Sequence, residues 1–286
     1  MRLPFIPSIL SLFLGVFSGC DEASVGVRFA IIGDYGFAGQ AEEDVANMVA
    51  GWNPDFIITT GDNNYSEGAM TSIDQNVGRY YHRFIAPYHG IYGQGSSVNR
   101  FFPSLGNHDW AAPDALPYRA YFTLPNNERY YDVVFGTVHL FALDSDPREP
   151  DGTSSESVQA QWLRNALARS TARWKIVYFH HPPYSSGREH GSTQYMQWPF
   201  KQWGATAVIS GHEHNYERII LDGFPYMVNG LGGRGLYSIE STIEGSVAHY
   251  DDEFGAQLVT ADDKYIAFEF YNRKHALIDR LIISAK

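Results

Sequence analysis

The sequence predicts an α/β fold, and three observations carry that prediction. Short apolar runs rich in Ile, Val, Phe or Thr recur between residues 25 and 286, helix-period stretches lie between some of them, and Gly or Pro punctuates the runs. A further regularity is chemical: again and again, a run stops at a cluster of polar side chains.

Val27 to Ile32 is the first run and ends in Gly33-Asp34-Tyr35-Gly36. Gln40 to Val49 then carries Val45, Met48 and Val49 at helical spacing. Phe56 to Thr60 ends in Gly61-Asp62-Asn63-Asn64-Tyr65, and Phe101 to Leu105 ends in Gly106-Asn107-His108-Asp109. From Tyr130 to Leu143, the alternation of Tyr131, Val133, Phe135, Val138, Leu140 and Ala142 predicts a hairpin turning at Gly136-Thr137, in the body of a sheet. A second helix is predicted over Gln159 to Arg169, with Trp162, Leu163, Ala166 and Leu167 on one face. Trp174 to Phe179 ends in His180-His181-Pro182-Pro183, and Ala205 to Ser210 ends in Gly211-His212-Glu213-His214. Residues 218 to 286 hold more strand-like runs, notably Tyr265 to Tyr271 and Leu277 to Ile283. In an α/β sheet, ligands sit beyond the carboxyl ends of the strands. The polar clusters are therefore expected to meet at one edge, although they are spread from residue 33 to residue 214.

The 286 residues, 44% hydrophobic and 15% aromatic, suffice for a single domain over residues 25–286. A net charge of −11 and a pI near 5.4 argue against a general nucleic-acid binder, which needs clustered Lys and Arg. Residues 1–19 read as an export signal, with Arg2 before an apolar run too short to span a bilayer comfortably. The expected location is outside the cytoplasm. Cys20, the only cysteine, follows Phe17-Ser18-Gly19 in the manner of a bacterial lipobox, with Phe17 where Leu is usual. Two readings stay open: a lipid anchor on Cys20, or an ordinary secretory signal with an incidental cysteine. Either way there is no disulfide, so stability must come from core packing and any bound metal. The oligomeric state is not legible.

Aspartates, a tyrosine, an asparagine and histidines, without a thiolate, suit hard or borderline cations such as Fe, Mn or Zn, and they are enough for two ions. Two metals roughly 3.5–4 Å apart can activate water and neutralise both the attacking and the leaving oxygen of a phosphoryl displacement. A shared carboxylate would reduce the repulsion between the ions, so Asp34 or Asp62 is expected to bridge.

In this order, G-D-x-G (Gly33 to Gly36), G-D-x-x-Y (Gly61 to Tyr65), G-N-H-(D/E) (Gly106 to Asp109), V-x-x-H (Val177 to His180) and G-H-x-H (Gly211 to His214) resemble the five blocks of the purple acid phosphatase group of metallophosphoesterases. Each block alone is weak; five in order are specific. The resemblance implies a four-layer αββα sandwich of two mixed β-sheets flanked by helices. It implies hydrolysis of small phosphate monoesters by a metal-activated hydroxide, in the manner of an acid phosphatase. Asp34, Tyr65 and His214 would hold Fe(III), with Asp62 bridging. Asn107, His180 and His212 would hold Fe(II), Zn or Mn. His108 and His190 would be the catalytic histidines facing substrate. His190 lies ten residues after His180, one more than is usual in the family, and His181 competes for its role.

The plainer readings are a helix cap or turn for Asp34 and a turn for Asn107, but such an explanation would have to hold independently at every block. Tyr65 has a stronger one, as a packed tyrosine with a bonded hydroxyl. His82, His89, His139, His249 and His275 are assigned no role. Glu213 is expected to turn away from the metals, into a supporting or a solvent position. Gly230 to Gly235 reads as a tight turn beside the site, with Arg234 a candidate for substrate contact. Two other functions remain open: a phosphodiesterase or nucleotide hydrolase on the same site, and a metal- or phosphate-binding module without catalysis.

Overall fold

A computed structural model describes residues 26–285, so the expected export signal and Cys20 lie outside the described residues. In chain order the strands are β1 (Val27–Ile32), β2 (Phe56–Thr59), β3 (Phe101–Pro103), β4 (Tyr131–Phe135), β5 (Val138–Ala142), β6 (Trp174–Tyr178), β7 (Ala207–Ser210), β8 (Tyr216–Leu221), β9 (Phe224–Asn229), β10 (Ser246–Tyr250), β11 (Gly255–Ala261), β12 (Tyr265–Asn272) and β13 (Leu277–Ser284). The helices are α1 (Gln40–Gly51), α2 (Arg79–Tyr81), α3 (Leu116–Tyr121), α4 (Val158–Arg169) and α5 (Phe200–Trp203). A π-helical turn, Asp74–Gly78, runs into α2.

The strands form two mixed sheets. One has the order β13-β12-β11-β1-β2-β3 and the other β10-β8-β9-β7-β6-β5-β4. Within the first, β1, β2 and β3 are parallel; within the second, β5, β6, β7 and β9 are parallel. The polar clusters therefore do not leave one sheet, as a simple alternation of strands and helices suggests: three follow strands of the first sheet and two follow strands of the second.

Side-chain alternation explains the layering. On β5 and β6, Val138, Leu140 and Ala142 with Trp174, Ile176 and Tyr178 face the core shared with Phe29, Ile31 and Phe56 of the other sheet. Phe141, Val177 and Phe179 point the opposite way and pack under Leu163, Ala166 and Leu167 of α4. Ser157 caps that helix, its Oγ accepting from Ala160 N at 3.1 Å. On the far side, α1 adds Val45, Met48 and Val49 to the main core and packs on β11. The order of layers is helix, sheet, sheet, helix.

Hydrogen bonds also tie the sheets. Tyr178 Oη donates to Phe102 O at 3.1 Å, Tyr131 Oη to Pro103 O at 2.6 Å and Trp174 Nε1 to Asp262 O at 2.6 Å. The hairpin at Gly136-Thr137 forms as its spacing predicts, but β4 is the edge strand of its sheet rather than part of the body. The first run coincides with β1, and the other four are one to two residues shorter as strands than as apolar segments: Thr60, Ser104 and Phe179 are buried but already leave the ladder.

At the outer end of the sandwich, Asp279 of β13 joins β8. Arg218 Nε and Nη2 donate to its two oxygens at 2.7 and 2.9 Å, and Tyr216 Oη donates at 2.8 Å. Burial works to raise the Asp279 carboxyl, but these donors outweigh it and hold the pKa below the usual carboxylate range. A depressed carboxyl contributes stability above its unfolded pKa, about 4, and that contribution fades as pH falls through the native value. We predict that Asp279→Asn costs about 2 kcal/mol at pH 7 in urea unfolding, and that the gap from wild type narrows below about pH 4. A gap that widened on acidification would contradict the assignment.

Candidate metal centre

The clusters form because the chain bends sharply where each strand ends. Asp34, Asp62 and His212, the residues directly after β1-Gly33, β2-Thr60-Gly61 and β7-Gly211, hold positive φ of 54°, 52° and 70°. This left-handed conformation costs about 1–2 kcal/mol for each non-glycine residue and aims the side chain across the strand end. Two glycines show why nothing larger precedes the donors. A Cβ on Gly61, at φ 95°, would lie 2.7 Å from His180 Nδ1, and a Cβ on Gly106 would collide with the Asp62 carboxylate. A donor from another cluster fills each space.

The donors meet in two groups. Tyr65 Oη lies 3.1 Å from Asp34 Oδ1 and 3.2 Å from His214 Nε2, and His214 Nε2 lies 3.4 Å from Asp34 Oδ1. His180 Nε2 lies 2.9 Å from Asn107 Oδ1 and 3.1 Å from His212 Nδ1. Asp62 Oδ2 is 3.4 Å from His180 Nε2, and Asp34, Asp62 and His180 offer donor atoms within 4.8 Å of one another, so Asp62 stands between the groups. Adjacent ligands about 2.1 Å from a six-coordinate ion are about 3 Å apart, the separation found here. One phenolic hydrogen serves the first group, where three lone-pair atoms converge. Such a set is repulsive by itself and is relieved by a cation. His180 Nδ1–H donates to Thr60 O at 2.8 Å, which fixes the tautomer and turns Nε2 inward, as a metal-binding histidine requires.

The electrostatics agree. Burial opposes charge on His180, but Asp62 and Asp34 outweigh it and raise its pKa to about 10. Burial works against ionised Asp62 too, yet His180 and His108 hold its carboxyl well below the usual range. Burial and the charge on His180 push His212 well down and His181 to about 3. Tyr65 is raised well above 10, first by burial and then by Asp34 and Asp62, so its proton leaves only for a strong positive charge.

The other nominated residues lie at the rim. His108 Nδ1–H donates to Ser66 O at 2.5 Å, which leaves Nε2 facing Asp62 Oδ2 at 3.9 Å, with about a third of the side chain exposed. The His190 ring is exposed and stacks on His212 at 4.0 Å. His181 is buried, bonded through Nδ1 to Ser145 Oγ at 2.9 Å, with its ring 4.5 Å from that of His212. The Arg234 guanidinium rides over Phe37 at 4.2 Å and over Tyr65 at 5.3 Å. The glycine-rich turn lies beside the donors, Arg234 N donating to Asp34 O at 3.0 Å. Glu213 is fully buried, which rules out the solvent position allowed for it from sequence.

Two features escaped the sequence reading. Asn63 is a hub: its Oδ1 accepts from Tyr35 Oη at 2.9 Å and Thr59 Oγ1 at 2.6 Å, and its Nδ2 donates to Ser104 O at 2.8 Å and Asp109 Oδ2 at 2.9 Å. Asp109, whose pKa burial and Asp62 raise to about 7, also accepts from Gly106 N at 2.9 Å. Both residues stood inside the clusters, but without a nominated role. The second feature is a sixth cluster. The run Val138 to Leu143 stops at Asp144-Ser145-Asp146, the same pattern, and reaches the site through Ser145 and His181. Arg148 extends it: Nη2 donates to Asn107 O at 3.1 Å, and Nη1 to Trp110 O at 2.7 Å.

The sequence model of the calcineurin-like phosphoesterase family matches residues 27–216. Human tartrate-resistant acid phosphatase type 5 is 25% identical over 251 residues, covering 74% of each chain. Purple acid phosphatase 17 of Arabidopsis thaliana is 26% identical over 240 residues, covering 73% of this chain and 69% of that protein. Among solved structures, purple acid phosphatase PPD1 of yellow lupin seeds superposes with a TM-score of 0.74 at 19% identity, over 91% of this chain and 54% of its own. GAP50, described as the anchor in the inner membrane complex of Plasmodium, superposes with a TM-score of 0.71 at 19% identity, over 91% and 89%. At these identities the two structures speak for the fold.

The hub yields a test that needs no metal. Asn63→Leu keeps the volume but leaves the Tyr35 and Thr59 hydroxyls and Ser104 O without this partner and removes one side-chain donor from Asp109. We expect the metal-free protein to lose about 3 kcal/mol of stability in urea; a change within about 0.5 kcal/mol would show that the hub is dispensable.

Proposed function

The chain belongs to the calcineurin-like phosphoesterase family, and from that premise we propose that it is an exported phosphatase of the purple acid phosphatase type that hydrolyses small phosphate monoesters with two metal ions. One observation supports this reading above the others: two groups of donors, Asp34, Tyr65 and His214 against Asn107, His180 and His212, share Asp62. The residues fit the metals such proteins use. Asp34, Tyr65 and His214 would hold Fe(III), because a phenolate is a hard, strong donor that favours a strongly polarising ion. Asn107, His180 and His212 would hold Fe(II), Zn or Mn, with Asp62 shared.

When bound, the two ions would supply an activated water and neutralise charge gathering on the phosphoryl group. The remaining work falls to the rim. His108, its Nδ1–H fixed on Ser66 O, presents Nε2 as the atom that carries a proton toward the leaving oxygen. His190, over His212, is placed to orient the ester oxygens, and the Arg234 guanidinium beside Tyr65 supplies positive charge at the other side of the mouth. The export part of the proposal rests on the signal-like residues 1–19, with Cys20 the candidate attachment for lipid.

Purified protein is expected to hold roughly two metals per chain and to show a visible band that disappears in Tyr65→Phe. A colourless, iron-free but active protein would move it to the Mn or Zn branch. Turnover on p-nitrophenyl phosphate should exceed that on bis(p-nitrophenyl) phosphate; a large preference for the diester would favour the phosphodiesterase reading, and loaded protein inert on both, the binding module. Cys20→Ser should shift the protein from the membrane fraction to the soluble extracytoplasmic fraction, whereas an unchanged soluble distribution would favour the ordinary secretory signal.

A further inference from the structure

The residue that most directly controls His190 is a glutamate from another cluster. His190 sits on an exposed segment, yet its backbone is held. Glu213 Oε1 accepts from His190 N at 2.5 Å and from Gly191 N at 2.6 Å. Glu213 is fully buried, and its Oε2 has no hydrogen-bond partner among the described residues. That oxygen packs on Gly187, where even a Cβ would overlap the carboxylate. The second residue of β8, a buried glutamate, does the same further back along the segment: Glu217 Oε2 accepts from Ser186 N at 2.7 Å, and its Oε1 accepts from Ser186 Oγ at 2.5 Å. The segment closes on itself as well, with Ser185 N donating to Ser192 Oγ at 3.0 Å and Thr193 N to Pro182 O at 2.7 Å.

Nothing else about Glu213 explains its burial. It stands between two metal-ligand candidates, His212 and His214, and a carboxylate there would ordinarily turn inward as a further ligand or outward to water. It does neither. A buried carboxylate oxygen accepting two backbone N–H groups is a strong, directional contact, and it is expensive to bury unless those donors matter. The consequence is mechanical. The backbone carrying His190 is bonded to the backbone carrying His212, and the His190 ring is stacked on the His212 ring at 4.0 Å with 25° between planes. Whatever moves the second metal's ligand also moves the rim histidine.

We propose that Glu213 is the positioning residue for His190, holding the amides of His190 and Gly191 so that the imidazole stays over the second metal position, with Glu217 bracing the segment at Ser186. This rests on the reading of the site as a phosphatase centre in which His190 faces substrate. Glu213 itself touches neither substrate nor metal; its effect on the reaction passes through His190.

Two measurements test it. Hydrogen exchange of the metal-loaded protein should show the amides of residues 190 and 191 protected in wild type and exchanging quickly in Glu213→Ala, with Glu213→Gln, which keeps an acceptor oxygen, in between. Equal exchange in all three would overturn the proposal whatever the enzyme does. In steady-state hydrolysis of p-nitrophenyl phosphate, Glu213→Ala should lower kcat by about 10- to 100-fold, the scale of a displaced positioning group, with metal content unchanged and partial recovery in Glu213→Gln. The same change made in His190→Ala should lower kcat less than about twofold further, since residues acting as a unit are non-additive. Full additivity, loss of metal in both Glu213 variants, or a His190→Ala protein as active as wild type would each sink the idea. The expected exchange pattern in a protein that hydrolyses no ester would leave the clamp standing and remove the phosphatase reading instead.

Discussion

The molecule is organised around electron pairs forced together. Asp34, Asp62, Tyr65, Asn107, His180, His212 and His214 come from five strand ends, and their donor atoms crowd to separations of 2.9–3.4 Å inside the protein. Water cannot screen them there, so carboxylates without a counter-charge would cost several kcal/mol each. Burial works against charge on His180, but Asp62 and Asp34 outweigh it and lift its pKa to about 10, which reports the negative potential gathered there. A metal would offset that potential, and the tautomer of His180, set by Thr60 O, is already the one a metal needs.

That crowding has to be held from behind. Three donors sit in left-handed backbone, and the Asn63–Asp109 pair ties the first three clusters together with buried hydrogen bonds that leave little slack. The two sheets share a core of alternating apolar residues, and the tyrosine and tryptophan bonds between them fix their offset. The site is thus assembled by the packing of one sheet on the other: neither sheet carries a complete group of donors, since His214 follows β7 while Asp34 and Tyr65 follow β1 and β2, and Asn107 follows β3 while His180 follows β6. A surface depression of about 820 Å³, lined by Val134, His139, Arg169, Arg173, Lys175 and neighbours, contains none of these donors. Open volume is therefore a poor guide to the chemistry of this protein.

The chain reads most clearly where local pattern and chemistry coincide. Alternation along β4 and β5 and the helical spacing of Val45, Met48 and Val49 announce their elements, because side-chain period is a local property. The runs in residues 218–261 are legible as strands but not as a β8–β9 hairpin flanked by β10, since pairing depends on partners far away in sequence. Asp144-Ser145-Asp146 obeyed the same rule as the nominated clusters and went unassigned, for it belongs to no block of the family. Glu213 shows the opposite limit: its neighbours say that it stands near a metal, and nothing in the local sequence says that it reaches across to the amides of residues 190 and 191.

Residue type and spacing, which are written along the chain, carry the donor inventory, the α/β class and, through five ordered blocks, the family. Folding alone brings the clusters together from two sheets and makes buried supports of Asn63, Asp109 and Glu213. Those facts are distances between residues tens to hundreds of positions apart, and they come into being only when the apolar faces of the sheets close on each other.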